Sequence, residues 1–155
     1  MAADAEDSTD TATVTVPLVG RLIATGEPLE PYKLLCPNGT TVEAVSIWFA
    51  ELQAADRSVA TLRSYGMDLL RWFRFLWALG VPWDRATRAV ARDFARWMLV
   101  AGKPARPHWR NQDAPVTATG SAYSPSVRAH SETVLRSFYD PFGNRLQMCG
   151  PAPEA

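Results

Sequence analysis

Apolar residues recur at three- and four-residue steps through four separate stretches of the chain, each about as long as one helix. The clearest is residues 58–79, SVATLRSYGMDLLRWFRFLWAL, where Leu62, Tyr65, Leu69, Phe73 and Leu76 share one face. At about 100° per residue, Arg63, Arg71 and Arg74 gather on the other side. The spacing therefore predicts a helix with an apolar back and an arginine-bearing front. Ser58 is placed to cap its amino end, with Thr61 three residues on, and Gly80 to close it. An ordinary packing helix with its arginines in water shows the same pattern.

Three further helices follow from the same periodicity. Residues 42–55 carry the stripe Val45, Trp48, Phe49 and Leu52. Residues 87–100 are expected to bury Ala91, Phe94, Ala95 and Met98, with Leu99 at the margin. Arg88, Arg92 and Arg96 line one flank of that helix, where water is the default neighbour. The last helix, 124–139, opens on Ser124-Pro125, a capping serine followed by proline at the first helical position. It turns Val127, Val134, Leu135 and Phe138 inward and Ser126, Thr133 and Arg136 outward, with Arg128 at the edge of the apolar face. The predicted fold class is all-α, a small four-helix bundle over residues 42–140.

The flanks lack such periodicity. Residues 1–41 form an acidic amino-terminal segment. Its first thirteen residues, MAADAEDSTDTAT, are expected to be disordered, and 14–31, interrupted by Pro17, Gly20, Gly26, Pro28 and Pro31, to lie extended along the surface. Asn38-Gly39 between two apolar segments signals a hairpin turn, weakened by Pro37, so a short ribbon or a plain turn is expected there. Residues 102–123 form a proline-bearing loop with Lys103, Arg106 and Arg110 around Trp109. It suits a track for a nucleic-acid backbone or a solvated loop. Residues 141–155 are an irregular carboxyl-terminal tail.

Charge sharpens this picture. The formal net charge of the 155 residues is zero, yet residues 1–56 carry two basic and nine acidic groups, whereas 57–145 carry fourteen basic and six acidic ones. Such a split suggests a polyanion as partner for the basic part. It also invites the reading that the acidic first 40 residues mask the basic face. Thirteen of the fourteen basic groups are arginines, whose planar fork suits phosphate and guanine edges, although a GC-rich genome would also favour arginine. No run approaches the roughly 18–20 apolar residues of a membrane span, and the amino terminus has no signal-peptide pattern. Cys36 and Cys149 lie far apart without metal-ligand spacing, so reduced thiols in a cytoplasmic protein are expected.

Candidate chemistry is sparse. His108 and His130 are the only histidines, with no cysteine or carboxylate cluster near them in sequence, and no phosphate-loop, dinucleotide or nucleophile-elbow pattern occurs. Ser137 and Tyr139 read as an exposed serine and a core-edge tyrosine. No cofactor, metal or small-molecule substrate is expected.

The order of parts resembles the core-binding domain of tyrosine recombinases, the phage-integrase superfamily. The matching pieces are VEAVSIWFAEL, then Ser58, Thr61 and Tyr65 with downstream Leu69, Phe73 and Leu76, then ATRAVARDFARWML, and finally YSPSVRAHSETVLRSFYD. The resemblance spans residues 42–140. It implies a four-helix, SAM-like bundle that packs on one face of duplex DNA, with a catalytic domain on the other. Carried over by position, it implies DNA contacts from Ser58, Thr61, Arg63, Arg71 and Arg74 on the central helix, and from Ser126, Arg128, Thr133 and Arg136 on the last.

In that family the strand-cleaving residues lie in a domain that follows, and no counterpart is present here. Residues from Pro141 onward also depart from the family's linker. The resemblance thus implies a truncated integrase, a DNA-binding half without enzymatic activity, with double-stranded DNA and other recombinase protomers as partners. Two alternatives stand beside it. One is a helical protein-interaction module, favoured by an exposed apolar patch around Trp97 or Trp109, and the other is a nonfunctional remnant.

Overall fold

The computed structural model describes residues 14–101 and 123–140. Two strands lead, β1 (Arg21–Glu27) and β2 (Glu30–Leu35), followed by four helices: α1 (Glu43–Ala54), α2 (Val59–Leu79), α3 (Arg88–Val100) and α4 (Pro125–Tyr139). A 3-10 turn, Trp83–Arg85, occupies the proline-stiffened connection after α2. The helices fall where the periodicity predicts them, each boundary within one or two residues.

Local chemistry sets those boundaries. Ser58 accepts the Thr61 amide at the head of α2, and Gly80 ends it in the left-handed region at φ 67°. Thr87 accepts the Val90 amide to start α3, and Ser124 accepts that of Val127, with Pro125 as the first helical residue of α4.

The helix α2 is the axis of the bundle. Leu62, Leu69, Trp72, Phe73, Phe75 and Leu76 are buried, so its second half is enclosed on nearly every side. Aromatic rings join it to its neighbours. Trp72 meets Phe94 of α3 edge-on at 5.2 Å, and Phe73 meets Phe138 of α4 at 6.1 Å. Trp48 of α1 stacks on Tyr65 at 5.7 Å. Such pairs add packing energy beyond their buried area. Trp72 Nε1 donates to the Tyr139 hydroxyl (3.0 Å), which donates onward to the Trp83 carbonyl (2.7 Å). That chain fixes the end of α4 to α2 and to the 3-10 turn.

The fold is not strictly all-α. β1 and β2 pair antiparallel with Arg21 opposite Leu35 and Ala24 opposite Tyr32, and the register shifts between Ala24 and Glu27. The segment expected to lie extended along the surface is thus half of a hairpin. Its turn is built on Pro28-Leu29 rather than on a type I′ pair, and a Thr25 side chain bonded to the Glu30 carbonyl closes it. Asn38-Gly39 forms a plain turn instead, its Asn38 Oδ1 accepting the Thr40 amide at 3.0 Å, with one bridge between Leu35 and Thr41.

The hairpin packs on α2. Gly66 makes the approach possible, since a Cβ there would sit 2.8 Å from the Leu22 methyls. Gln53 Nε2 of α1 also holds the hairpin turn through the Pro28 carbonyl at 3.0 Å.

The α3 stripe is rotated from the expected one. Ala95 and Leu99 are exposed, and Trp97 is buried with Ala91, Phe94 and Met98. The large Phe94 and Trp97 rings, packed on Phe75 at 5.3 and 5.7 Å, decide which side faces the core. The small Ala95 gains little from burial and is turned out.

Candidate nucleic-acid interface

The carried-over residues separate into two groups once α2 and α4 are in place. Arg71 and Arg74 do not form a free arginine front. Arg74 donates from Nε to the Val19 carbonyl (2.9 Å) and from a terminal nitrogen to that of Gly20 (3.3 Å). Burial pushes its guanidinium below the ordinary arginine value, with Tyr123 a smaller influence upward and the like charge of Arg71 a smaller one downward. Arg71 pairs with Asp68 at 3.0 Å, reaches Ser131 Oγ at 3.3 Å, and lies over the Tyr123 ring at 4.8 Å. Only Arg63 of the three is exposed. The expected solvent-facing front is corrected on this point, because the hairpin and α4 cover two of its three cations.

The covering of Arg74 bears on the idea of an acidic mask. Residues of the amino-terminal segment do lie against the basic helix, but backbone carbonyls of Val19 and Gly20 make the contact, not acidic side chains. Residues 1–13 fall outside the described residues.

Asp68 is the hub the periodicity could not reveal. It is a buried acid among apolar neighbours, and its two oxygens serve three partners. Oδ1 accepts from Arg71 (3.0 Å) and from Ser131 Oγ (2.9 Å), while Oδ2 meets His130 Nδ1 at 2.7 Å. A buried carboxylate requires such satisfaction. Two of the partners, His130 and Ser131, lie more than 60 residues away along the chain, so no motif spacing announces the cluster. The one available signal was the polar Asp68 interrupting the apolar run MDLLRWF.

Most of the other carried-over residues face outward. On α4, Ser126, Thr133 and Arg136 are exposed; Thr133 Oγ1 donates to the Ala129 carbonyl at 3.1 Å, and Arg136 pairs with Glu132 at 2.6 Å. Arg128 is half-buried at the edge of the apolar face. His130, four residues after Ser126 and three before Thr133, shares their face, and its ring lies 5.6 Å from that of Tyr65. Tyr65 in turn sits one turn after Thr61, itself bonded to Ser58. A polar strip therefore runs from the head of α2, across Tyr65 and His130, onto α4. Arg63 lies off it, roughly 160° round the helix from Thr61.

Other features carry less. Arg88, Arg92 and Arg96 are exposed along one flank of α3. Trp97 is only 9% exposed, so it anchors no outer patch; Trp109, His108 and the basic loop residues Lys103, Arg106 and Arg110 fall outside the described residues. An open apolar groove of about 510 Å³ lies beside Cys36, Ile47, Trp77 and Trp83. Among the described residues Glu43 is the one carboxylate lining it, and no histidine, lysine or arginine lines it beside the Cys36 thiol. Among the described residues no group of three or more His, Cys, Asp or Glu side chains is placed to hold a metal, and no helix is long and apolar enough to cross a membrane.

Comparison with known proteins bears on the same region. No curated protein and no solved structure matches the chain. Residues 45–108 match the family described as phage integrase, N-terminal SAM-like domain. The match takes in α1 from Val45 onward, all of α2 and all of α3; α4 lies beyond it. With helices of the expected lengths in the expected order, residues 45–108 are an N-terminal SAM-like domain of the phage integrase family.

Proposed function

We propose that the chain binds duplex DNA through the strip formed by the head of α2 and the outward face of α4, as the DNA-holding part of a site-specific integrase. The observation that carries this reading is the continuity of that strip: Ser58, Thr61, Tyr65, His130, Ser126 and Thr133 follow one another across two helices locked by Asp68. Hydroxyls along one rigid edge, with the Arg136 guanidinium beside them, suit phosphate oxygens, which position a protein on DNA without reading sequence. The family match of residues 45–108 and the basic excess of residues 57–145 support it.

Residue roles follow from access. Arg136 is the exposed cation closest to the α4 hydroxyls along the helix, and exchanging Glu132 for a phosphate keeps it paired. Ser126 and Thr133 offer hydroxyls, and Ser58 and Thr61 do the same at the amino end of α2, where the helix dipole also favours an anion. Arg63 adds long-range attraction from a neighbouring flank. Arg71 and Arg74 contribute by holding the surface in shape, and Arg128 by filling the edge of the core. Other recombinase protomers are the second class of partner under this reading.

Fluorescence anisotropy with a short duplex tests it. Ser126→Glu/Thr133→Glu should weaken binding by about tenfold or more at about 50 mM salt, because like charge opposes phosphate. Arg92→Glu on the α3 flank should change it less than about threefold. Loss of binding in the α3 variant with none in the α4 variant would move the interface to α3 and overturn the proposal.

A further inference from the structure

Among the groups on the strip, His130 is the one whose orientation is fixed from below. Its Nδ1 lies 2.7 Å from Oδ2 of Asp68, whose side chain is 8% exposed, while the histidine side chain is 45% exposed. The two nitrogens of an imidazole ring diverge, so the bond through Nδ1 turns Nε2 away from the buried acid. Ser126 and Thr133 flank the ring on the same face of α4. Tyr65 lies against it at 5.6 Å and limits its rotation. Histidines whose second nitrogen is anchored in this way have a defined donor or acceptor to present.

Resting on the duplex-DNA reading above, we propose that His130 contacts a DNA phosphate through Nε2, with Asp68 as the positioning residue, and that binding takes up a proton at this ring. The proton follows from the hydrogen-bond arithmetic. With Nδ1–H given to Asp68, a neutral ring has only a lone pair at Nε2, which a phosphate oxygen repels; the imidazolium donates from both nitrogens. The charges facing the ring from α2 are Asp68 and Arg71, with Tyr65 as the other titratable neighbour. Arg71 bonds the opposite oxygen of the same carboxylate, which keeps Asp68 in place beneath the ring. A phosphate brought up to Nε2 adds the anion that shifts the ring to its cationic form. Affinity should therefore fall as pH rises.

The test is the duplex dissociation constant of the full chain at about pH 6 and pH 8, measured for wild type, His130→Ala, His130→Lys and Arg136→Ala. Melting curves of each confirm that the fold is kept. Wild type should weaken toward high pH by up to about tenfold per unit. His130→Ala should bind about tenfold more weakly at pH 6, the scale of one charge-assisted hydrogen bond, and lose most of the pH dependence. His130→Lys, a cation at both pH values, should recover affinity over the alanine variant while staying flat with pH. A His130→Ala protein that keeps wild-type affinity and pH profile overturns the proposal, as does a lysine variant no better than alanine. If Arg136→Ala still weakens binding in those cases, the DNA reading stands and only the role of His130 falls. Wild type that fails to bind at either pH ends both.

Discussion

Arg74 Nε donates to the carbonyl oxygen of Val19 at 2.9 Å, across 55 residues of sequence. The bond converts an arginine that looks available for phosphate into a clasp between α2 and the strand entering the hairpin. Replacing it with alanine leaves two part-buried carbonyls without a donor. Arg74→Ala should lower unfolding free energy by about 2 kcal/mol, whereas Arg63→Ala on the exposed flank should stay within about 0.5 kcal/mol. Urea denaturation of the two variants checks this. Equal effects would mean that the clasp is not formed.

The Asp68 hub makes a larger prediction. Asp68→Ala strands the Arg71 guanidinium and leaves Ser131 and His130 without their acceptor. A loss of about 3 kcal/mol is expected, the lower end of what breaking a buried ion pair costs. Since the same acid joins both helices, Asp68→Ala and Ser131→Ala should be non-additive by about 1 kcal/mol in a double-mutant cycle. Additive losses would argue against a shared network.

How far these features are visible in the sequence depends on the range of the interactions that create them. Helix spans and caps depend on neighbours three or four residues apart, so Ser58, Gly80 and Ser124-Pro125 announce α2 and α4 directly. The hairpin escapes because its turn, Pro28-Leu29, lacks a glycine-asparagine signature and its strand partners gain order by packing on Gly66 of α2. The candidate site is half legible for the same reason. Periodicity places Ser126, Thr133 and Arg136 outward, but it cannot say that the hairpin will cover Arg74 or that Asp68 will hold His130. Those are contacts between segments more than fifty residues apart. On α3 the stripe errs by one position because periodicity counts Ala95 and Trp97 alike, while packing is decided by the tryptophan ring.

Gly20 should tolerate no side chain. Its φ is +67°, and a Cβ would lie 2.6 Å from the Trp77 ring and 2.7 Å from the Leu35 carbonyl oxygen. Gly20→Ala combines left-handed strain with a clash against backbone, and a loss of about 3 kcal/mol follows. Gly39, also at positive φ but with open space around it, should lose only about 1 kcal/mol on the same change. Thermal melts of the pair separate the two contributions.

Tyr139 gives the fold an alkaline limit. Burial raises its phenol well above the ordinary value of 10.0, with the Trp72 hydrogen bond a smaller pull downward. The folded state holds this proton more tightly than the unfolded chain does. Stability from this group is therefore complete below about pH 10 and is lost as pH rises beyond it. Tyr139→Phe should be about 1 to 2 kcal/mol less stable at neutral pH, because Trp72 Nε1 and the Trp83 carbonyl lose their partner. It should also show a shallower decline between about pH 10 and pH 11. A decline as steep as that of wild type would place the alkaline transition in another group.

The most direct test of the central claim is an amide chemical-shift titration of the full chain with a short duplex. The account predicts that the largest changes cluster at Ser58, Thr61 and Tyr65 on α2 and at Ser126, His130 and Thr133 on α4, and shrink as salt is raised. Changes confined to the Arg88–Arg96 flank of α3 or to the hairpin, or none at low salt, would contradict it.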